Sequence, residues 1–483
     1  MNVRKALYLI PCSKKKSEVS SIEKGLDESA AALGEEAESA SAFKELRDLN
    51  YNARLLLLIT FFQSLGRGIW GGNLLSAYIF YLGNESNELL GLTSAMGGLA
   101  MTLFVLPSGW LSDRYRRSTV IKTASIVGFF AVLMVFLATD ILGIFMALVI
   151  WGAFQGLWRP STDALFADSI ESGKRSKIYT IRHIIRQVGM AAGPFLNVAL
   201  FLILGDTWEL DVLRNVILFG LVLSTFGLTT MWFVDDDKSL GAKSEAIGQL
   251  SRNESSDLEE ISTLTNGSWK KPVSILLTCN LIIGMGAGMT IRFFPIFFIE
   301  IYDWLPIAVN FVMGVVALAT ATTSFYAQRA SQKGGYGRVW MIFIVQGLAI
   351  LCLITLVSYP PVWILVPVFI ARGSLMNASQ PLSRSILMDQ TPSRYRGVVN
   401  SGQAMAWGLF WNMSAAVGGF LIGFGGYRLV FMITAGVYIV GTLPILLLLP
   451  YVPREQGEKA RRRAAKEFPA LETPSSSPLS RMP

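Results

Sequence analysis

Runs of about twenty apolar residues, the length a helix needs to bridge the hydrocarbon layer of a bilayer, recur along the chain, with polar and charged residues confined to the intervals between them. Twelve spans are predicted, at 54–81, 89–111, 119–138, 141–167, 179–204, 213–234, 272–299, 305–327, 339–357, 362–388, 398–422 and 429–450. Lipid offers no hydrogen-bond partner to a bare backbone, so only helices and closed barrels cross it. A run such as 121–138 lacks the two-residue alternation of a barrel strand. The pattern therefore predicts an all-α membrane protein of twelve transmembrane helices.

The intervals differ in charge. Arg114, Arg116 and Arg117, then Lys174, Arg175 and Lys177, then Arg329, Lys333 and Arg338, then Arg394 and Arg396 all fall on one side, whereas Glu85, Glu88, Asp206, Glu209 and Asp303 fall on the other. Short cytoplasmic loops collect Lys and Arg, so both termini are expected in the cytoplasm. Which membrane is crossed stays open. The net charge of +8 borders hydrophobic spans and the tail Arg461-Arg462-Arg463. It points to an anionic cytoplasmic leaflet as partner rather than to nucleic acid. Three scattered cysteines, Cys12, Cys279 and Cys352, form neither a disulfide framework nor a metal-ligand spacing.

Residues 1–50, rich in Ser, Ala and Glu, are expected to be a disordered cytoplasmic segment. The short apolar run Ala6 to Cys12 behind Arg4 and Lys5 leaves a targeting segment open. A second polar stretch, 235–271, divides the spans into six and six as a cytoplasmic linker, and 451–483 is expected to be a disordered tail. The two bundles, 51–234 and 272–450, are related. Pro160, Thr162, Leu165, Asp168 and Arg175 match Pro381, Ser383, Ile386, Asp389 and Arg396 at a constant offset of 221 residues. Several matches at one shift indicate a duplicated unit, hence two pseudo-symmetric six-helix bundles with a binding site between them.

At the end of span two the chain reads Gly109-Trp110-Leu111-Ser112-Asp113-Arg114-Tyr115-Arg116-Arg117. This resembles the signature loop of the major facilitator superfamily, Gly-x-x-x-Asp-Arg/Lys-x-Gly-Arg-Arg/Lys, at the place where that family carries it. Arg116 replaces the second glycine and Ser118 the last basic residue, and the equivalent loop of the second half has lost the acid. The resemblance covers about residues 50–450. It implies a transporter working by alternating access and a conformational latch of Gly109, Asp113, Arg114, Arg117 and Asp168, with Arg117 pairing Asp168. Asp113 beside the start of span eleven, at Val398 to Asn400, would meet the positive end of a helix dipole, a contact typically worth about 0.3–1 kcal/mol. Gly189, Gly193 and Pro194 resemble the family's antiporter motif and imply a bend in span five, although Asn197 and Val198 replace its trailing glycines. Gln155-Gly156 matches the end of another family motif whose arginine position holds Gly152.

A charge within a span costs about 2.5–3.5 kcal/mol on insertion scales, so a retained one is a functional candidate. Arg67 and Arg372 fall near mid-membrane, one per half. Gln63, Arg67 and Trp70 share a face of span one, as Gln403, Trp407, Trp411 and Ser414 do of span eleven. Taken as substrate-binding residues, they make a central cavity with two cationic poles and aromatic walls, suited to an organic anion or zwitterion. The competing reading is that each arginine only ties helices together. Arg159 is expected to form an i, i+4 pair with Asp163. Acids within spans are nearly absent, and the one histidine, His183, stands between Arg182 and Arg186, so protons as coupling ion stay open beside facilitated diffusion and exchange.

No constellation for a nucleophile, metal or phosphate loop is present, so neither an enzyme nor an ATP-driven pump is expected, and no cofactor. The expectation is a carrier of a small organic solute, functional as a single copy. The alternatives are a proton-coupled multidrug-type efflux antiporter and a non-transporting receptor or scaffold on the same fold.

Overall fold

The computed structural model describes residues 49–171, 175–240, 269–333, 337–392 and 395–452; within these the side chains of Asp113, 175–177, 332–333, 397 and 401 are not described. The expectations for the N-terminal segment, most of the linker, the tail and the Asp113 side chain lie outside the described residues. Everything described is helix or short connection. In chain order the helices are α1 (Tyr51–Trp70), α2 (Asn73–Leu82), α3 (Asn87–Arg114), α4 (Arg117–Leu137), α5 (Ile141–Asp168), α6 (Arg175–Leu204) and α7 (Leu210–Thr230) in the first half. The second half has α8 (Lys270–Thr290), α9 (Phe294–Tyr302), α10 (Pro306–Lys333), α11 (Gly337–Val357), α12 (Val362–Gln390) and α13 (Arg396–Thr442).

Ten of these helical stretches are long and apolar enough to cross a membrane, and α1 with α2, bent by 43°, makes an eleventh span. The stretch 398–448 counts as one of the ten, but at 51 residues it exceeds twice the length that a bilayer accommodates. It turns back at Gly426, whose φ of 69° and ψ of −174° suit a residue without Cβ. The two arms of α13, 396–425 and 427–442, both pack on α8: Gly418 meets Met289, and Gly441 meets Ile283. With these two arms counted separately, the described helices suffice in length for twelve crossings. Helix starts are fixed locally, with Asn50, Ser86 and Asp140 accepting from the backbone of the first turns of α1, α3 and α5. Outer faces are apolar and unburied, Ile203 being 79% and Phe424 88% exposed, which leaves lipid as their solvent.

The sequence repeat has a counterpart in three dimensions. Arg117 pairs with Asp168, and Arg338 with Asp389 at 2.5 Å, the same two positions one repeat apart. Gly68 lies against the Met190 carbonyl of α6, and Gly288 against the Trp411 carbonyl of α13. Each half breaks its first span at the matching place: α1 stops at Trp70 and resumes as α2 at Asn73, while α8 passes through a 3₁₀ turn, Ile291–Phe293, into α9. These glycine crossings carry a strong expectation. A Cβ on Gly193 would fall 2.0 Å from the Gly68 carbonyl carbon, a backbone atom that cannot swing away. Gly193→Val should cost at least the roughly 1–3 kcal/mol typical of overpacking, read as loss of monodisperse protein on size exclusion in detergent.

The halves meet along two seams, α3 with the first arm of α13 and α6 with α10. Toward the acidic face both are tight. Gly91 touches Ala415, Gly98 touches Asn412 and Gly419 touches Asn87 on the first seam, while Phe195 packs on Gly314 on the second. Toward the basic face they part: the space beside Gly109 and Gly402 is open, and Val398 is 73% exposed. Among the described residues the seams are tight toward the acidic face and looser toward the basic one.

Candidate functional site

The break in α1 places Arg67 one turn before the end of its helix, and the break after α8 places Arg292 inside the 3₁₀ turn. Within a membrane, irregular backbone and charge are tolerated only where they are buried in protein or line a water-filled cavity, so such breaks are candidate sites. Arg67 donates from Nη1 to the Gln155 side-chain oxygen at 2.8 Å, and Arg159 donates from Nη2 to the same oxygen at 2.7 Å. Arg292 donates to Asn412 at 2.8 Å and lies over the Trp411 ring at 5.1 Å. Its Nε has no partner. Arg67 stands within electrostatic reach of Arg159, Arg292 and Arg186.

Among the described residues none of Arg67, Arg159 and Arg292 forms an ion pair with a carboxylate. Two like charges about 5 Å apart in a partly hydrated interior repel by about 3 kcal/mol. A neutral amide does not cancel that repulsion; an anion would. Asp163 is within reach of Arg159 but pairs instead with Arg182 at 2.6 Å, so the expected Arg159–Asp163 pair is replaced by one between helices. The reason is geometric: Gln155, four residues before Arg159, already accepts its guanidinium, and α6 brings a second arginine to Asp163. Nearer the basic face, Arg186 meets the His183 ring at 3.1 Å, and Arg384 of α12 comes within reach of both. Clustered positive charge of this kind attracts anions.

The other residues singled out in the sequence are distributed differently. Gln63 donates to the Ser224 carbonyl at 3.1 Å, and Trp70 donates to the Ser224 hydroxyl at 3.1 Å while meeting Trp151 edge-on, so both faces are spent on packing within the first half. Arg372 is buried in the second half, over the Phe294 ring at 4.4 Å and 3.3 Å from the Tyr438 hydroxyl, and is not brought together with Arg67. Trp407 packs on Gly284 of α8, Trp411 holds Arg292, and Gln403 is half-buried. Gly189 lies against Ser64, and Gly193, next to Pro194, against Gly68, which sets the crossing of α6 on α1.

In the signature loop, Arg114 lies over the Trp110 ring at 4.4 Å, and Arg117 joins Asp168. The two positions that depart from the family pattern have partners of their own. Arg116 sits within 3.6 Å of Asp235 and Asp236 and 2.7 Å from Asp237. The hydrogen bond to Asp237, and then the charge of the three acids, raise the guanidinium above its ordinary pKa. Ser118 gives its hydroxyl to Asp236 at 2.7 Å. Missed in the sequence were Arg292, Arg159 as a neighbour of Arg67, and Asn412. The signal for Arg292 was its place one repeat beyond the Gly71-Gly72 break.

The acidic face is closed by bonds between halves. Asp206 caps α10 through the Ile307 backbone N–H at 2.9 Å, Trp208 donates to the Trp304 carbonyl at 2.8 Å, and Asn197 donates to Asn310 at 3.2 Å. Asn87 donates to Glu300 at 3.2 Å, and Tyr427 donates to the same carboxylate.

Comparison with known proteins places this geometry. Among curated proteins no sequence matches significantly. Among solved structures, a variant of the nucleoside transporter NupG superposes with a TM-score of 0.63 at 13% identity, over 82% of this chain and 100% of its own. A bacterial homologue of the human lysosomal transporter Spinster, inward-facing and occupied, gives 0.63 at 13% over 82% and 95%. A D-xylose–proton symporter gives 0.62 at 16% over 84% and 98%. At such identities the likeness concerns the fold. The family model described as Major Facilitator Superfamily matches residues 56–411 and again 276–482. With its apolar helical spans, a duplicated half and that match, the chain belongs to the major facilitator superfamily, as a multi-pass membrane transporter of some small solute.

Proposed function

We propose that this transporter carries a small organic anion by alternating access, binding it between Arg67 and Arg159 of the first half and Arg292 of the second. The observation that carries the reading is three guanidiniums, two of them at helix breaks, held by neutral acceptors and not by carboxylates among the described residues. A carboxylate or phosphate bound there would accept charge-assisted hydrogen bonds from both halves and relieve their repulsion. Contact with both halves couples ligand to conformation, because a ligand shifts an equilibrium by its differential affinity for the two states. In the orientation expected from the loops, the looser, basic face is the cytoplasmic one. A scaffold would have no use for clustered unpaired cations, and a multidrug-type exchanger of cations would meet the same positive field.

Purified protein in detergent should gain melting temperature with organic anions and not with cations or neutral sugars of similar size. Binding at a hundred times Kd adds about 2.7 kcal/mol to apparent stability. A set of stabilising ligands containing cations alone would end the anion reading. Flux in reconstituted vesicles, present or absent, then separates a carrier from a receptor.

A further inference from the structure

We propose that Gln155 is a positioning residue that acts as a stand-in ligand between Arg67 and Arg159, its carboxamide oxygen holding the place that an anionic oxygen of the solute takes. The inference rests on the anion reading for the solute and on the side-chain geometry for Gln155 itself. The carboxamide must present its oxygen to the arginines, since guanidiniums only donate. That single oxygen accepts from Arg67 at 2.8 Å and from Arg159 at 2.7 Å, using both of its lone pairs. One donor comes from α1 and the other from α5, so the oxygen sets the mutual orientation of two helices' cations.

The residue is held in place. Gln155 is buried, and its helix is wedged against α3 on either side: a Cβ on Gly152 would fall 2.1 Å from the Gly97 carbonyl, and one on Gly156 2.4 Å from the Met101 carbonyl. Backbones packed that closely fix where α5 presents the side chain, so an entering anion has only the terminal carboxamide to displace. Gln155 is also neutral. A carboxylate there would satisfy the arginines permanently and compete with any anion, whereas an apolar side chain would leave them splayed by repulsion. The amide keeps both guanidiniums aimed at one point without cancelling their charge, a preorganised site that a charged oxygen takes over with a gain in interaction.

Two substitutions of similar length test this in the full-length protein in detergent, with inorganic phosphate and succinate as probes. Gln155→Glu is expected to raise the melting temperature of the ligand-free protein by several degrees, because it supplies the missing charge. It should also weaken any anion-induced stabilisation at least tenfold in concentration. Gln155→Met, lacking the acceptor, is expected to lower the ligand-free melting temperature and to weaken anion binding by a smaller factor, with the salt dependence of binding retained. A ligand-free melting temperature that does not change in opposite directions in the two variants overturns the positioning role, whatever the solute. Anion affinity undiminished in Gln155→Glu overturns the stand-in. If wild type responds to neither probe nor to the wider anion panel while the two melting temperatures still diverge, the solute class falls and the placement of Gln155 stands.

Discussion

Arg67→Gln is expected to lower anion affinity by one to two orders of magnitude while leaving the protein as stable as wild type or slightly more so. A hydrogen bond to a charged group contributes about 1.5–3 kcal/mol, which corresponds to roughly 10- to 150-fold in Kd. The sign on stability is the diagnostic part. An arginine that tied helices together would lower the melting temperature when removed, since it would leave its acceptors unpaired in the bilayer interior. Arg67 instead shares its one acceptor with Arg159, within reach of further positive charge. Its loss relieves repulsion, and Gln155 keeps Arg159. Affinity and melting temperature measured on the same preparation decide the matter: a destabilised variant with wild-type affinity would return Arg67 to a structural role. The same divergence is expected for Arg292→Gln, on the other half.

The second large effect concerns the shut face. Removing Asp206 and Asn87 together should open that face and raise the reaction of a cysteine at position 415 with a membrane-impermeant thiol reagent at least tenfold. Ala415 is buried against Gly91 on the seam between α3 and α13, so it becomes reachable only when the seam parts. Asp206→Ala removes the cap that one half supplies to a helix of the other, a loss of about 0.5–2 kcal/mol. Asn87→Ala removes a bond across the interface to Glu300, itself held by Tyr427. Tenfold in population requires only about 1.4 kcal/mol. The experiment needs Cys12, Cys279 and Cys352 replaced beforehand. Unchanged labelling would mean that apolar packing along the seams, and not these polar bonds, keeps the face closed.

The membrane-spanning architecture was legible because lipid imposes a rule that side chains obey one by one. A span must be apolar for its full length and its flanks must be charged, so the ends of α4, α5 and α11 fall within a few residues of the hydropathy windows. The repeat was legible through Asp168 and Asp389, which turn out to accept from Arg117 and Arg338. Breaks within a span were harder to see. The turn Ile291–Phe293 interrupts an apolar run with no glycine or proline of its own, whereas Gly426 falls in the interval already predicted between the spans 398–422 and 429–450.

Composition and periodicity in the sequence determined that the chain is a helical membrane protein and that it is duplicated. Only the tertiary structure decided which cations face one another. Depth along a helix follows from residue count, since the rise per residue is fixed. Azimuth and partner do not, because they depend on how neighbouring helices cross. Arg372 and Arg292 lie on spans of the same half, yet one turns into packing against Phe294 and Tyr438 while the other lies on Trp411 at the seam between halves. Asp163 had an arginine four residues before it on its own helix, and the fold gave it another from α6, leaving Arg159 and Arg67 to share the oxygen of Gln155.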